Sequence, residues 1–247
     1  MKKQMHLAAQ YLAAAGISFL EKKADDSHTN LGFDIERGSL ETHLLSDHGD
    51  QLFLNYVDFS LEWKSKSSSI VYNLDGSTHE DVLKWITETA RKALNKTYSY
   101  NLHYDLPYKI DSSFTFKLED PKELVDLKNL RTQIQLSLEQ INADFNLNTS
   151  IRVWPHHFDS GIYTKFPDSD ISIGFGLAIP DTVSPVHYFY ISGYNNNGQM
   201  ETANYADLSR GKWSKEGFKG AILPAAGETA SQATTFFKEA IQVFLAS

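Results

Sequence analysis

The sequence predicts an α+β protein of two pseudo-repeated halves, each a helix, an antiparallel β-meander and a second helix. Three observations carry this. The stretch Trp154-Pro155-His156-His157-Phe158-Asp159-Ser160-Gly161 has a weaker copy in Ser27-His28-Thr29-Asn30-Leu31-Gly32. Both read His-x-(Asp/Asn)-x-Gly, each follows a helix-period segment, and each opens a run of strand-like residues. Next, Ile70-Val71-Tyr72-Asn73-Leu74-Asp75-Gly76-Ser77-Thr78 aligns without a gap on Ala221-Ile222-Leu223-Pro224-Ala225-Ala226-Gly227-Glu228-Thr229. The constant offset of 151 carries on to Trp85 against Phe236 and Leu94 against Leu245. Finally, connections such as Arg37-Gly38-Ser39 and Asp47-His48-Gly49-Asp50 are too short for parallel crossovers and favour a meander. The His-containing pair is offset by only 129, so the second half carries about 22 extra residues, placed between roughly 193 and 215. The predicted division is an N-terminal half at 1–97, a connecting segment at 98–120 and a C-terminal half at 121–247.

Taken in order, Met5, Ala8, Leu12, Ala15 and Phe19 fall at 3-4-3-4 spacing and predict an opening helix. His6 and Gln10 interrupt what a secretory signal would keep as an unbroken apolar run, so the segment reads as a helix of the folded chain. Residues 22–30 form a polar loop. Strands are predicted at 32–35, 40–45, 51–59, 61–63 and 69–74. In 51–59, Leu52, Leu54 and Tyr56 share one face and Phe53, Val57 and Phe59 the other, which suits a central strand. Val82, Trp85, Ile86, Thr89 and Ala93 then mark a helix to about residue 96, with Thr78 as N-cap and Asp81 where a capping box carries its acid.

The connecting segment is rich in Tyr and holds candidate strands at 100–104 and 113–117. Leu124, Leu127, Leu130, Ile134, Leu138, Ile141 and Phe145 make one stripe of a long helix with Pro121 in its first turn. Strands follow at 151–154, 161–165, 170–179, 185–192 and 218–223, before a last helix. In 170–179 one face is Ile171, Ile173, Phe175, Leu177 and Ile179. The other is Ser172, Gly174, Gly176 and Ala178, a trough to be filled by a helix, the other half or a ligand.

Composition excludes more than it assigns. A net charge of −8 with no Lys/Arg cluster argues against a nucleic-acid partner. No apolar run reaches the roughly 18 residues of a membrane span, so no membrane partner is expected. The absence of cysteine removes disulfides, thiolate nucleophiles and Cys-ligated zinc, and suits a cytoplasmic setting. Gly174-Phe175-Gly176 lies inside a strand and opens no helix, so the standard nucleotide-binding loops are missing. Length alone leaves the oligomeric state open.

Trp154 to Asp159, Ser172 to Gly176, Tyr188 to Tyr190 and Gly217 to Ala225 together resemble a bacterial family to which no activity is assigned. Its members join a Trp-Pro-His-His-Phe-Asp segment to Ser-Ile-Gly-x-Gly, Tyr-Phe-Tyr and Gly-Phe-x-Gly-Ala-x-Leu-Pro-Ala segments. The chain is also faintly similar to a larger family in which a His-Phe-Phe-Trp-Gly-x-Phe-Asp strand follows a long helix. The resemblance implies no chemistry.

The residues offer three readings. A small-molecule-binding or structural protein would line its pocket with His157, Asp159, His187 and the Tyr188/Tyr190 strand, with His156 and Trp213 as further ligand contacts. A metal-dependent or acid/base hydrolase would work from His156, His157 and Asp159, with His157 and Asp159 as the catalytic pair. On an extended strand, however, His156 and His157 point to opposite faces, so a metal needs a ligand imported from His187, His103 or His28. Alternatively, His157 and Asp159 bond each other and the backbone. The third reading is a protein-interaction module with an exposed sheet face. Trp213, Glu216 and Phe218 lie in or beside the extra segment, as a lid, a rim or a surface loop. No cofactor is named by any motif.

Overall fold

The computed structural model describes residues 1–108, 110–214 and 216–247; Lys109, in the predicted connecting segment, and Lys215, at the end of the predicted insertion, lie outside the described residues. The chain forms two compact units, Met1–Asn129 with Val153–His156, and Leu130–Arg152 with His157–Ser247.

The first unit opens with helix α1 (Lys2–Phe19) and a 3-10 turn (Ser27–Thr29). A five-stranded antiparallel sheet follows: β1 (Gly32–Asp34), β2 (Ser39–Glu41), β3 (Gln51–Asn55), β4 (Ser60–Lys64) and β5 (Ser69–Asn73), paired strictly in chain order. β3 is central, as its two apolar faces predict. The single long strand expected at 51–59 is instead the first arm of a hairpin, because the chain reverses at residues 56–59 with Phe59 at φ 52°. Helix α2 (His79–Leu94) starts at Thr78, whose side chain and that of Asp81 cap each other's backbone N–H. Trp63 meets Phe19 of α1 edge-on at 6.2 Å and Tyr72 stacks on Trp85 of α2 at 5.0 Å, so both helices cover the same face of the sheet.

α1 differs from a surface helix. Its predicted stripe is buried, but so are Gln4, His6 and Gln10 on the other sides. His6 and Gln10 are matched from the segment after α2 and from Pro155, while Gln4 Oε1 has no hydrogen-bond partner among the described residues. Tyr104 donates to Gln10 Oε1 at 2.7 Å, Tyr108 pairs with His6 Nδ1, and His6 and Gln10 both hold the Pro155 carbonyl, at 2.9 and 2.8 Å. Among the described residues, the strands expected at 100–104 and 113–117 do not form. The tyrosines wrap α1 as a strap, and only an isolated Thr78–Thr115 bridge remains.

α3 (Pro121–Asp144) runs as predicted and passes from the first unit to the second at residues 129 and 130. The second sheet comprises β6 (Arg152–Trp154), β7 (Asp159–Lys165), β8 (Ser172–Ala178), β9 (Tyr188–Asn195), β10 (Gly198–Gln199), β11 (Lys212–Trp213) and β12 (Ala221–Pro224). Its order is β11-β12-β9-β8-β7-β6, with β10 on β9. Leaving out β10 and β11, the meander β6-β7-β8-β9-β12 repeats β1 to β5. α4 (Ala230–Leu245) repeats α2 with the 151-residue offset at both ends, again behind a capping box, Thr229 with Gln232. Gly76 and Gly227, at φ 82° and 80°, make the same turn before each cap. The connection between the last two equivalent strands is residues 65–68 in the first unit and 196–220 in the second, where the extra residues were expected.

The second core lies between one sheet face and helices α3 and α4. Ile173, Phe175, Phe189, Ile191 and Leu223 meet Ile134, Leu138, Phe237 and Phe244, with the Phe237 ring 5.4 Å from Phe175 and 6.0 Å from Phe189. Burying this many aliphatic and aromatic side chains, each worth roughly 1.5–3 kcal/mol, is what fixes the register of β8 and β9.

Candidate binding cleft

The signature stretch does not run as an extended strand. Residues 155–158 form the turn between β6 and β7, and Phe158 sits in the left-handed region at φ 60°. Strand alternation therefore does not govern His156 and His157. His156 belongs to the first unit, half-buried against Tyr104 at 5.4 Å and Trp154 at 6.4 Å. His157 belongs to the second unit and is exposed.

Asp159 begins β7, and what gathers around it is tyrosine and arginine. Gly161 on β7 lies directly opposite Gly176 on β8, which lies opposite Tyr190 on β9. With no side chain on either glycine, the Tyr190 ring reaches back across the row, and its hydroxyl donates to Asp159 Oδ2 at 2.6 Å. The glycines are needed for this approach: a Cβ at Gly161 would stand 3.0 Å from the Tyr190 hydroxyl, and one at Gly176 only 1.9 Å from the Ser160 carbonyl oxygen. The trough predicted beside β8 is thus filled by its own neighbours, Tyr190 over Gly161 and Tyr163 over Gly174.

Asp159 Oδ1 is inaccessible and has no hydrogen-bond partner among the described residues. Burial pushes this carboxyl above the usual range, against the opposing pull of the Tyr190 bond, His157 and Arg131. Arg131 of α3, 5% exposed, sends Nη1 to Ser160 Oγ and Nη2 to the Phe158 carbonyl, both at 2.6 Å, and lies 4.4 Å from the Phe158 ring centre. It fixes the turn after His157. On the same sheet face Tyr188 donates to Asp181 Oδ2 at 2.9 Å; burial, and then Asp181, pushes Tyr188 up, while burial, and then Asp159, pushes its neighbour Tyr190 up. Asp181 Oδ1 accepts from Val183 N at 2.8 Å and Ser184 N at 3.3 Å, an Asx turn that presents Thr182 and Val183.

Those two residues form one wall of a cleft of about 980 Å³ at the β11–β12 edge of the second sheet. Tyr205, Trp213 and Phe218 give it aromatic surface, Ile222 its floor, and Asp207, Lys212 and Glu216 its charged rim. Trp213 is 6% exposed; its indole donates to the Ala206 carbonyl at 2.8 Å and its ring packs on Tyr205 and Phe244, so it is at once core and cleft wall. The structure thus joins Asp159 to Tyr190, places Tyr188 behind the cleft and Trp213 in it. His187, half-buried ahead of β9, lends its carbonyl to Ala225 N. Neither His156, His157 nor Asp159 lines this cleft.

Sequence reasoning missed Arg131, Asp181 and Tyr205. Arg131 had a signal: it sits four residues after Leu127 and three before Ile134, which puts a charge on the apolar face beside Leu130. Asp181-Thr182-Val183-Ser184-Pro185 reads as a turn. Tyr205 had none.

These features define an α+β protein with two sheet halves and an edge cleft in the second. Comparison of the chain with family models, with curated proteins and with solved structures finds no match. No helix among the described residues is long and apolar enough to cross a membrane.

Proposed function

We propose that this chain binds a small molecule, and that the ligand enters the cleft beside β11. One observation carries the reading: the cleft combines aromatic walls from Tyr205, Trp213 and Phe218 with polar groups at Thr182, Asp207, Lys212, Ser214 and Glu216, in a volume of about 980 Å³. That is the upper end of the size usual for small-ligand sites. Rings give a flat ligand or a sugar face something to stack on; the mixed rim supplies donors and acceptors to orient it. The Tyr188–Asp181 bond supports the wall without touching the ligand.

The test is saturation-transfer NMR with methyl glycosides and small aromatic amines and carboxylates. Signals from one class, lost when Ala203→Trp fills the exposed cleft mouth and when Glu216→Ala removes a rim acid, support the reading. Binding that survives both changes in folded protein removes this cleft as the site.

A second reading, acid/base chemistry, is favoured by the raised pKa of Asp159 beside Tyr190. It requires the covered Oδ1 to become reachable, which trapping with a carboxyl-directed carbodiimide reads: modification at Asp159 in native protein supports it, and none removes it.

A further inference from the structure

β5 is the terminal strand of the first sheet, and no strand among the described residues pairs with its outer edge. Two bonds at the ends of the β4–β5 ladder, Leu74 N to Phe59 O at 3.1 Å and Ser65 N to Ser68 O at 2.8 Å, set the hydrogen-bonding phase. The even-numbered residues of β5 face β4. By the antiparallel alternation, the N–H and C=O of Ser69, Val71 and Asn73 then face outward. Among the described residues, only the Asn73 carbonyl of these groups has a partner, Ser77 Oγ at 2.9 Å. Ile70 is 47% and Val71 56% exposed. Ser69-Ile70-Val71-Tyr72-Asn73 carries no charge and no proline, the devices that normally discourage strand addition at an edge.

The chain itself shows what such an edge accepts. In the second unit the equivalent strand is β12, with Ile222 at the place of Val71. Ser214 N bonds the Gly220 carbonyl at 2.8 Å, and Lys212 lies opposite Ile222, so Ile222 too faces outward, here onto the antiparallel strand β11. The first unit has only residues 65–68 where β11 arises in the second.

We propose that β5 is a self-association edge, on which two copies of this chain pair their β5 strands antiparallel about Val71. The commitment to a second copy rests on charge. Lys66 is exposed just before the strand and Asp75 just after it; antiparallel pairing of identical strands about Val71 sets Lys66 opposite Gly76 and Asp75 opposite Ser67, so each lysine comes next to the other copy's aspartate, whereas parallel pairing stacks like charges. Val71 then exchanges both backbone bonds with its twin, and Ser69 stands opposite Asn73. Joining two five-stranded sheets in this way removes the open edge from both copies.

Sedimentation velocity of the full chain over a concentration series tests this. The expected result is a concentration-dependent monomer–dimer equilibrium with two-fold mass. Val71→Pro removes one outward donor per copy without touching the β4 ladder, and should weaken the dimer at least about tenfold. Val71→Lys should do the same by repulsion, and serves if the proline variant fails to fold. Lys66→Glu should also weaken it, and amides at Ser69 and Val71 should gain hydrogen-exchange protection as wild-type concentration rises. Wild type that stays monomeric throughout overturns the proposal, including the case where a strand of a different protein adds to β5. A dimer indifferent to Val71→Lys, or one unweakened by Lys66→Glu, also overturns it.

Discussion

Replacing Arg131 by Met keeps the aliphatic stem within α3 but removes both donors. The Phe158 carbonyl and the Ser160 hydroxyl, each held at 2.6 Å, are left without them. Hydrogen bonds from a charged donor contribute about 1.5–3 kcal/mol each, while taking a cation out of a buried site returns part of that through relieved desolvation. The expected net loss is about 2–4 kcal/mol. Because two units need not unfold together, a single denaturation midpoint is the wrong readout. Native-state hydrogen exchange followed by mass spectrometry on peptides from β7, β8 and β9 isolates the second unit. Exchange there should accelerate by between one and three powers of ten, with peptides from β3 and β4 unchanged, since about 1.4 kcal/mol is tenfold. Arg131 also opposes the rise in the Asp159 pKa, so Asp159→Asn should recover part of the loss in the double variant. An acceleration under about fivefold, or strict additivity of the two changes, would show that the guanidinium is incidental to the turn.

Asp159→Asn alone should alter pH dependence. A carboxyl whose folded pKa lies above its ordinary 3.8 binds its proton more tightly folded than unfolded, so its contribution to stability is greatest below that ordinary value and declines as pH rises through the folded one. The stability of the second unit in the Asn variant, read by hydrogen exchange in β7, β8 and β9 and corrected for the intrinsic pH dependence of exchange, should therefore gain on wild type as pH rises toward neutrality; a gap that is constant or widest in acid contradicts the sign. Gly176→Ala should cost more than about 3 kcal/mol, because its Cβ would stand 1.9 Å from backbone, and hydrogen exchange in β7 and β8 within about tenfold of wild type would refute the close approach. Thr78→Ala and Thr229→Ala, at equivalent caps, should each cost about 1 kcal/mol by hydrogen exchange in α2 and α4 respectively; a loss at only one site breaks the equivalence.

The α+β class and the doubled plan were legible because they rest on local signals. Short polar connections dictate antiparallel pairing, and Gly76-x-Thr78 and Gly227-x-Thr229 repeat a turn and a cap that physics places at a helix start. What was illegible depends on partners distant in sequence. The tyrosines at 100–108 alternate like a strand, yet they lie on α1 because His6 and Gln10 are buried there and need hydroxyl and carbonyl partners. The His-His-Phe-Asp stretch reads as extended in the sequence because nothing local announces that Phe158 takes a positive φ, a conformation supported by Arg131 from another element. Trp213 was picked out as a ligand contact and does line the cleft, whereas Asp207 and Tyr205, in irregular chain, carry no periodicity to read.

The segment 196–220 does two things at once: it hollows out the space beside Trp213, and it lays β11 along a strand whose counterpart in the other copy stays bare. On the proposed readings, recognition and protection of a strand edge are therefore tied to one loop. Shortening it to the length of its counterpart would erase the hollow and leave a second strand edge unpaired in the same stroke, so tolerance of this loop to deletion is constrained twice over.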